Sequence, residues 1–165
     1  YVYGGELIVQ ESLVEIVTLL EYDFRKIGYC KNWQKIPDPT KAILIADSNR
    51  IVFQTDVNND MIVDTMKYYV GPASELTVTP NPRDRFLYRV VNGETPKGVN
   101  LGVTQFKLIY YDAFGNLLSF PITKPGQIYT MRIDLKIENY AAYDNEYSSV
   151  FWRQVRLAAR NLSNR

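Results

Sequence analysis

Two hydrophobic rhythms divide the chain. Across residues 6–29 there is no proline, and Leu13, Ile16, Val17, Leu20, Phe24 and Ile27 recur at spacings of three and four. That period gathers them on one face of an amphipathic helix. Glu21 and Arg25, four apart with the acid first, are placed to pair on its exposed side. Gly28 falls in the last turn, and Pro37 and Pro39 stop the helix before Thr40. Beyond Thr40 the period drops to two, which predicts strands over 42–46, 50–56, 61–70, 86–91, 103–111, 117–120 and 127–138. Turn chemistry separates them at Asp47-Ser48-Asn49, Asn58-Asn59-Asp60, Asn92-Gly93 and Phe114-Gly115-Asn116. The cleanest alternation sets Met131, Ile133, Leu135 and Ile137 on a packed face and Arg132, Asp134, Lys136 and Glu138 on a wet one. A last strand is expected over 154–160, where Val155, Leu157 and Ala159 alternate with Gln154, Arg156 and Arg160.

Without a second long helix there is nothing to build βαβ crossovers, so an antiparallel arrangement follows. The expected class is α+β: a long N-terminal amphipathic helix packed on antiparallel sheet. One domain is expected over 1–165, with a helical stem at 6–29 and a β-rich globular part at 40–162.

Composition narrows the chemistry. The 165 residues are 46% hydrophobic and 22% charged, enough for one well-packed core. Nineteen Lys and Arg against 18 Asp and Glu leave +1, which lacks the electrostatic footprint of a nucleic-acid binder. Histidine is absent. That removes Ser-His-Asp and Cys-His catalysis and His-ligated zinc, and no enzymatic activity is expected. Cys30 has no partner for an internal disulfide and no histidine to activate it, so it reads as an inert thiol. No apolar run approaches the roughly 20 residues of a membrane helix.

The order of pieces resembles a known family. Leu20-Glu21-Tyr22-Asp23-Phe24-Arg25-Lys26-Ile27-Gly28-Tyr29, then Ala46-Asp47-Ser48-Asn49-Arg50-Ile51-Val52-Phe53, Asp56-Val57-Asn58-Asn59-Asp60 and Leu87-Tyr88-Arg89-Val90-Val91-Asn92-Gly93 carry the likeness. So do Val103-Thr104-Gln105-Phe106, Tyr110-Tyr111-Asp112-Ala113-Phe114-Gly115-Asn116 and Val155-Arg156-Leu157-Ala158-Ala159-Arg160-Asn161-Leu162. Together they span roughly 12–162 and resemble the pilin-like minor subunits of type IV pili and type II secretion systems, nearest the PilW-type minor pilins and J-type minor pseudopilins. The resemblance implies a pilin-like fold and a non-enzymatic assembly subunit that primes or caps the filament. It implies sibling pilin-like subunits as partners. It also implies an inner-membrane anchor with a periplasmic domain, the membrane-spanning segment and its basic leader lying upstream of Tyr1. Gly4-Gly5 then marks a linker or melted region, and Glu15, Glu21 and Arg25 on the stem become the candidate partner-binding residues.

One cluster carries possible chemistry of its own. Asp56, Asn58, Asp60 and Asp64 occupy relative positions one, three, five and nine of a calcium loop. Met61 stands where such a loop wants glycine, and Lys67 where it wants a bidentate Glu. Two readings stay open: a polar hairpin turn held by Asx hydrogen bonds, and a site for calcium or another hard cation. As a glycosidase acid and base pair the same carboxylates lack anything to separate their pKa values. Thirteen tyrosines include the pairs Tyr68-Tyr69 and Tyr110-Tyr111, of which only one member each lines a given surface of a strand. Core edges and subunit contacts account for them better than a stacking platform. Arg153, Arg156, Arg160 and Arg165 make the C-terminus basic, and near-zero net charge reads this as a solvated face. The alternative to the assembly subunit is a secreted or surface β-rich module that binds a glycan or a divalent cation.

Overall fold

The structure, a computed structural model, describes residues 2–76, 80–138 and 149–157. Helix α1 (Val2–Arg25) runs unbroken through Gly4-Gly5, so the glycine pair is not a melted linker. It stops at Arg25 because Gly28 turns left-handed, at φ +78, and its N–H bonds Gln54 O at 3.0 Å. A Cβ at Gly28 would sit 2.9 Å from Pro39 Cβ, so both the conformation and the close approach require glycine there.

Strands β1 (Ile43–Ala46), β2 (Arg50–Thr55), β3 (Asp64–Val70), β4 (Phe86–Val91) and β5 (Lys97–Leu101) form one antiparallel sheet in that order. Strands β6 (Val103–Tyr111), β7 (Thr130–Glu138) and β8 (Ser149–Leu157) form a second, ordered β6-β7-β8. This corrects the α+β expectation. Two antiparallel sheets carry a mainly β protein, and the helix is a single N-terminal element, not a long platform that sheet is laid upon. Of the helix side chains described, only Ile16, Leu20, Asp23 and Phe24 are buried. The period of two governs most of the chain after Thr40, and it outweighs one narrow helical stripe in deciding the class.

Three strand assignments change. The predicted strand at 117–120 reduces to one bridge, Tyr111 to Leu117. Strand β5 lies outside the predicted strands, although Val99 and Leu101 alternate with Gly98 and Asn100; so short a run, beside the Asn92-Gly93 turn and Pro96, carries too little signal to predict a strand. In β8 the phase is reversed. The register pairs Ile133 with Gln154, Leu135 with Trp152 and Ile137 with Val150, so those partners face inward and Val155 is 58% exposed. The tertiary register overrode the local pattern. Ala159 and Arg160 lie outside the described residues.

One hydrophobic core joins both sheets and the helix. Ile51, Phe53, Met66, Tyr68 and Leu87 face it from the first sheet, and Phe106, Leu108, Ile133 and Leu135 from the second. Phe24 enters edge-on, 5.7 Å from the Phe53 ring and 5.4 Å from Tyr68. Hydrogen bonds then link the sheets: in the β1–β2 turn Ser48 O accepts from Leu108 N at 2.7 Å and Asp47 O from the Tyr110 hydroxyl at 2.9 Å. Leu118 N bonds Tyr110 O at 2.9 Å, so part of the outer rim of β6 is covered.

Polar side chains also enter the interior. Asp23 is 1% exposed; its Oδ2 accepts from Arg89 Nε at 2.7 Å and its Oδ1 from Arg89 Nη2 at 3.1 Å, while the Tyr68 hydroxyl donates to Oδ2. The fork fixes the angle between helix and sheet as apolar contact alone would not. The wet face of β7 is likewise only partly wet. Asp134 and Glu138 are buried under the cations around them. Substituting Asp23→Ala strands Arg89 and is expected to cost about 3–5 kcal/mol in urea unfolding, against less than about 1 kcal/mol for an exposed ion pair.

Candidate functional site

The strongest concentration of carboxylates lies where β2 hands over to β3. Asp56 follows the end of β2 and is fully buried. Its Oδ1 accepts from Asp60 N at 3.1 Å, and its Oδ2 from Met61 N at 3.0 Å and Lys31 N at 3.1 Å. Two left-handed residues aim those amides, Asn59 at φ 61 and Met61 at φ 69. Asn tolerates that conformation through its short polar side chain. Met61 adopts the backbone that a calcium loop normally assigns to glycine, at a cost of about 1–2 kcal/mol.

Asp64, the first residue of β3, is also buried. It accepts from Val57 N at 3.1 Å and from Asn92 Nδ2 at 2.8 Å. Asp60 is exposed and caps Ile62 N at 2.9 Å. One carboxylate oxygen from each of Asp56, Asp60 and Asp64 lies within 4.8 Å of the other two. The fold therefore brings together three of the four residues singled out in the sequence, with Asn58 exposed on the same turn. Lys67 sits further along β3, opposite Val52, at the position where a calcium loop would supply its last ligand.

The geometry suits two tasks. As a turn, it gives five backbone amides carboxylate acceptors and fixes the β2–β3 crossing. As a metal centre, it offers hard oxygens of the kind Ca²⁺ takes. Burial raises the Asp56 pKa, but the amides of Lys31, Met61 and Asp60 more than offset it and hold the carboxyl below its ordinary value. That is the opposite of what a general acid requires. Cys30 is buried beside it, Sγ 3.8 Å from Asp56 Oδ2. Burial, with the Asp56 charge added, pushes the thiol pKa up against the opposing Asn32 backbone bond, away from the reactive thiolate.

The stem residues divide. Glu15 and Arg25 are exposed, whereas Glu21 is half-buried and accepts from Gln154 Nε2 at 3.1 Å, tying the helix to β8. Among the tyrosines, Tyr68 and Tyr110 are core residues, and Tyr69 stacks on Tyr88 at 5.1 Å across the outer face of the first sheet. Arg153 pairs with Asp134 at 2.8 Å; the Arg156 side chain, Arg160 and Arg165 fall outside the described residues.

Sequence reasoning missed one polar cluster. Glu138 receives Arg83 Nη2 at 2.5 Å, Arg83 Nε at 3.2 Å and Asn81 Nδ2 at 3.3 Å. Its partners are 55 and 57 residues away, a separation that leaves no local signal. Burial works against its ionisation, yet the Arg83 hydrogen bonds, then the Thr104 hydroxyl and the Asn81 bond, win and bring its pKa down to about 2. Asp56 and Glu138 both have folded-state pKa values below their unfolded ones. Their contribution is complete above about pH 4.5 and is lost as pH falls toward the folded values. The melting temperature should drop steeply between about pH 4.5 and 2, and Glu138→Gln should lower the neutral-pH plateau and flatten that slope.

The chain matches no family model and no curated protein, so functional argument rests on the residues themselves.

Proposed function

We propose that this chain is a non-enzymatic assembly subunit, a minor pilin or pseudopilin that primes or caps a type IV pilus or a type II secretion pseudopilus. The observation that carries the reading is the division of helix α1. Among the helix side chains described, the buried stripe runs from Ile16 to Phe24, while upstream Gln10, Glu11, Val14 and Glu15 are exposed, Val14 at 65%. A helix with one end seated in a β body and solvated side chains above it, Val14 among them, suits a stem that neighbouring subunits cover. The order of sequence pieces resembling minor pilins supports it further. On this reading the partners are sibling pilin-like subunits, and the protein is held at the inner membrane by a segment upstream of Tyr1, its body in the periplasm.

N-terminal sequencing and intact mass of the native protein from its own membranes test this. A run of roughly 20 apolar residues ahead of Tyr1 supports the reading, and a start without one overturns it. Glu15→Lys is expected to impair filament assembly while leaving the melting temperature within about 1 °C, because its side chain is solvated and a surface change costs little. Glu21 is a poorer probe, since its bond to Gln154 mixes stability into the result.

One observation favours a second reading, cation binding: the three carboxylate oxygens within 4.8 Å at the Asp56 turn. Calcium should then raise the melting temperature of the wild type and not of Asp60→Asn. Equal melts with and without calcium remove this reading.

A further inference from the structure

The outward face of the second sheet concentrates positive charge. Lys107, Asp134 and Arg153 stand directly opposite one another across its three strands. Arg132 and Lys136 flank Asp134 on β7, and Arg83 reaches Glu138 at the strand's end. Of the chain's 19 Lys and Arg and 18 Asp and Glu, five cations and two carboxylates gather here. The face is +3, and the rest of the chain is −2.

Both carboxylates are submerged. Asp134 takes Arg153 at 2.8 Å and Arg132 at 3.2 Å, and Glu138 takes Arg83 at 2.5 Å and Lys136 at 3.7 Å. What reaches solvent is the cationic layer, with half of the Arg153 side chain accessible. The buried acids hold the guanidiniums in place, so little rotamer freedom remains to be lost when a partner arrives. Lys107 is exposed and has no ion-pair partner among the described residues. Apolar surface lies between the charges: Phe151 is 49% exposed and Val155 58%, and the Arg153 guanidinium sits 5.3 Å from the Phe151 ring. Strand β8 ends its sheet, so both residues stand at a rim.

We infer that this face docks an acidic segment of a partner protein, its carboxylates meeting Lys107 and Arg153 and its apolar side chains covering Phe151 and Val155. Preorganised arginine beside exposed aromatic and aliphatic surface is the composition of protein-interface centres. A nucleic acid would also meet cations here, but a chain of only +1 exerts little long-range pull on a polyanion. The inference rests on this face and not on the membrane anchor, so it survives a native N-terminus with no apolar run.

The test uses full-length protein in its own cells, carrying a photo-crosslinking residue at Val155, with adducts identified as peptides by mass spectrometry. The expected adduct is a segment rich in Asp and Glu. Lys107→Glu should cut its yield about tenfold, and reversing one acid of that segment to Lys should restore it. Arg153 is left intact because reversing it would remove a partner of buried Asp134 and set a like charge beside it. Since Lys107 is solvated, its variant should melt as the wild type does; Lys107→Gln serves if it does not, with a loss of a few fold. Adducts to nucleic acid, adducts to segments without acids, no adduct at 155, or a yield indifferent to Lys107 would each overturn the inference.

Discussion

The bond between Asp23 and Arg89 is the constraint on which the arrangement of helix and sheet depends. A carboxylate at 1% exposure is tolerated only where its charge and lone pairs are met, and here a guanidinium fork and a tyrosine hydroxyl meet them. The desolvation cost makes the pair a specificity device more than a net source of stability. A rotation of the helix would take Asp23 off Arg89 and break the fork. Phe24, the next residue, then falls between Phe53 and Tyr68, and the apolar stripe follows. Tyr68 belongs to both networks. Its hydroxyl is held un-ionised by burial and by the neighbouring Asp23 charge, which keeps it a donor at any physiological pH.

The second sheet is joined to this frame by backbone. The β1–β2 turn's carbonyls accept from Leu108 N–H and the Tyr110 hydroxyl, so the two sheets share a hydrogen-bonded seam as well as a core. Arg50 pairs with Asp47 at 2.6 Å across the turn, holding the carbonyls where β6 needs them. The second sheet carries its own buried acids, Asp134 and Glu138, each answered by two cations. Of the three buried carboxylates paired with arginine, Asp23 joins helix to sheet, whereas Asp134 and Glu138 lie beneath the outward face of the second sheet.

Much of the strand order was legible because alternation reports one-sided burial directly. Strands β2, β4, β6 and β7 fell where period two placed them. Strand β5 escaped notice because its alternation is only two apolar residues long, Val99 and Leu101, and β8 was read in the wrong phase. Its Val155 looks like a core residue beside Gln154 until the register with β7 places Gln154 inward. At the Asp56 turn, spacing alone nominated the residues that the fold converges. Spacing could not reveal that Lys31 and Asn92, 25 and 28 residues away from the carboxylates they bond, complete the cluster.

The sequence by itself determined the local elements: a helix over the N-terminal stretch, strands wherever polar and apolar residues alternate, turns at Asp, Asn and Gly. These depend on interactions within a few residues, and composition and spacing encode them. It shows, too, that these 165 residues supply no histidine. Only the tertiary structure decided that two sheets, not the helix, make the fold. It also decided which face of β8 looks inward and which acids are buried beneath arginines. Those outcomes rest on contacts between residues tens of positions apart, whose energies depend on who arrives as a neighbour, and no local pattern records that.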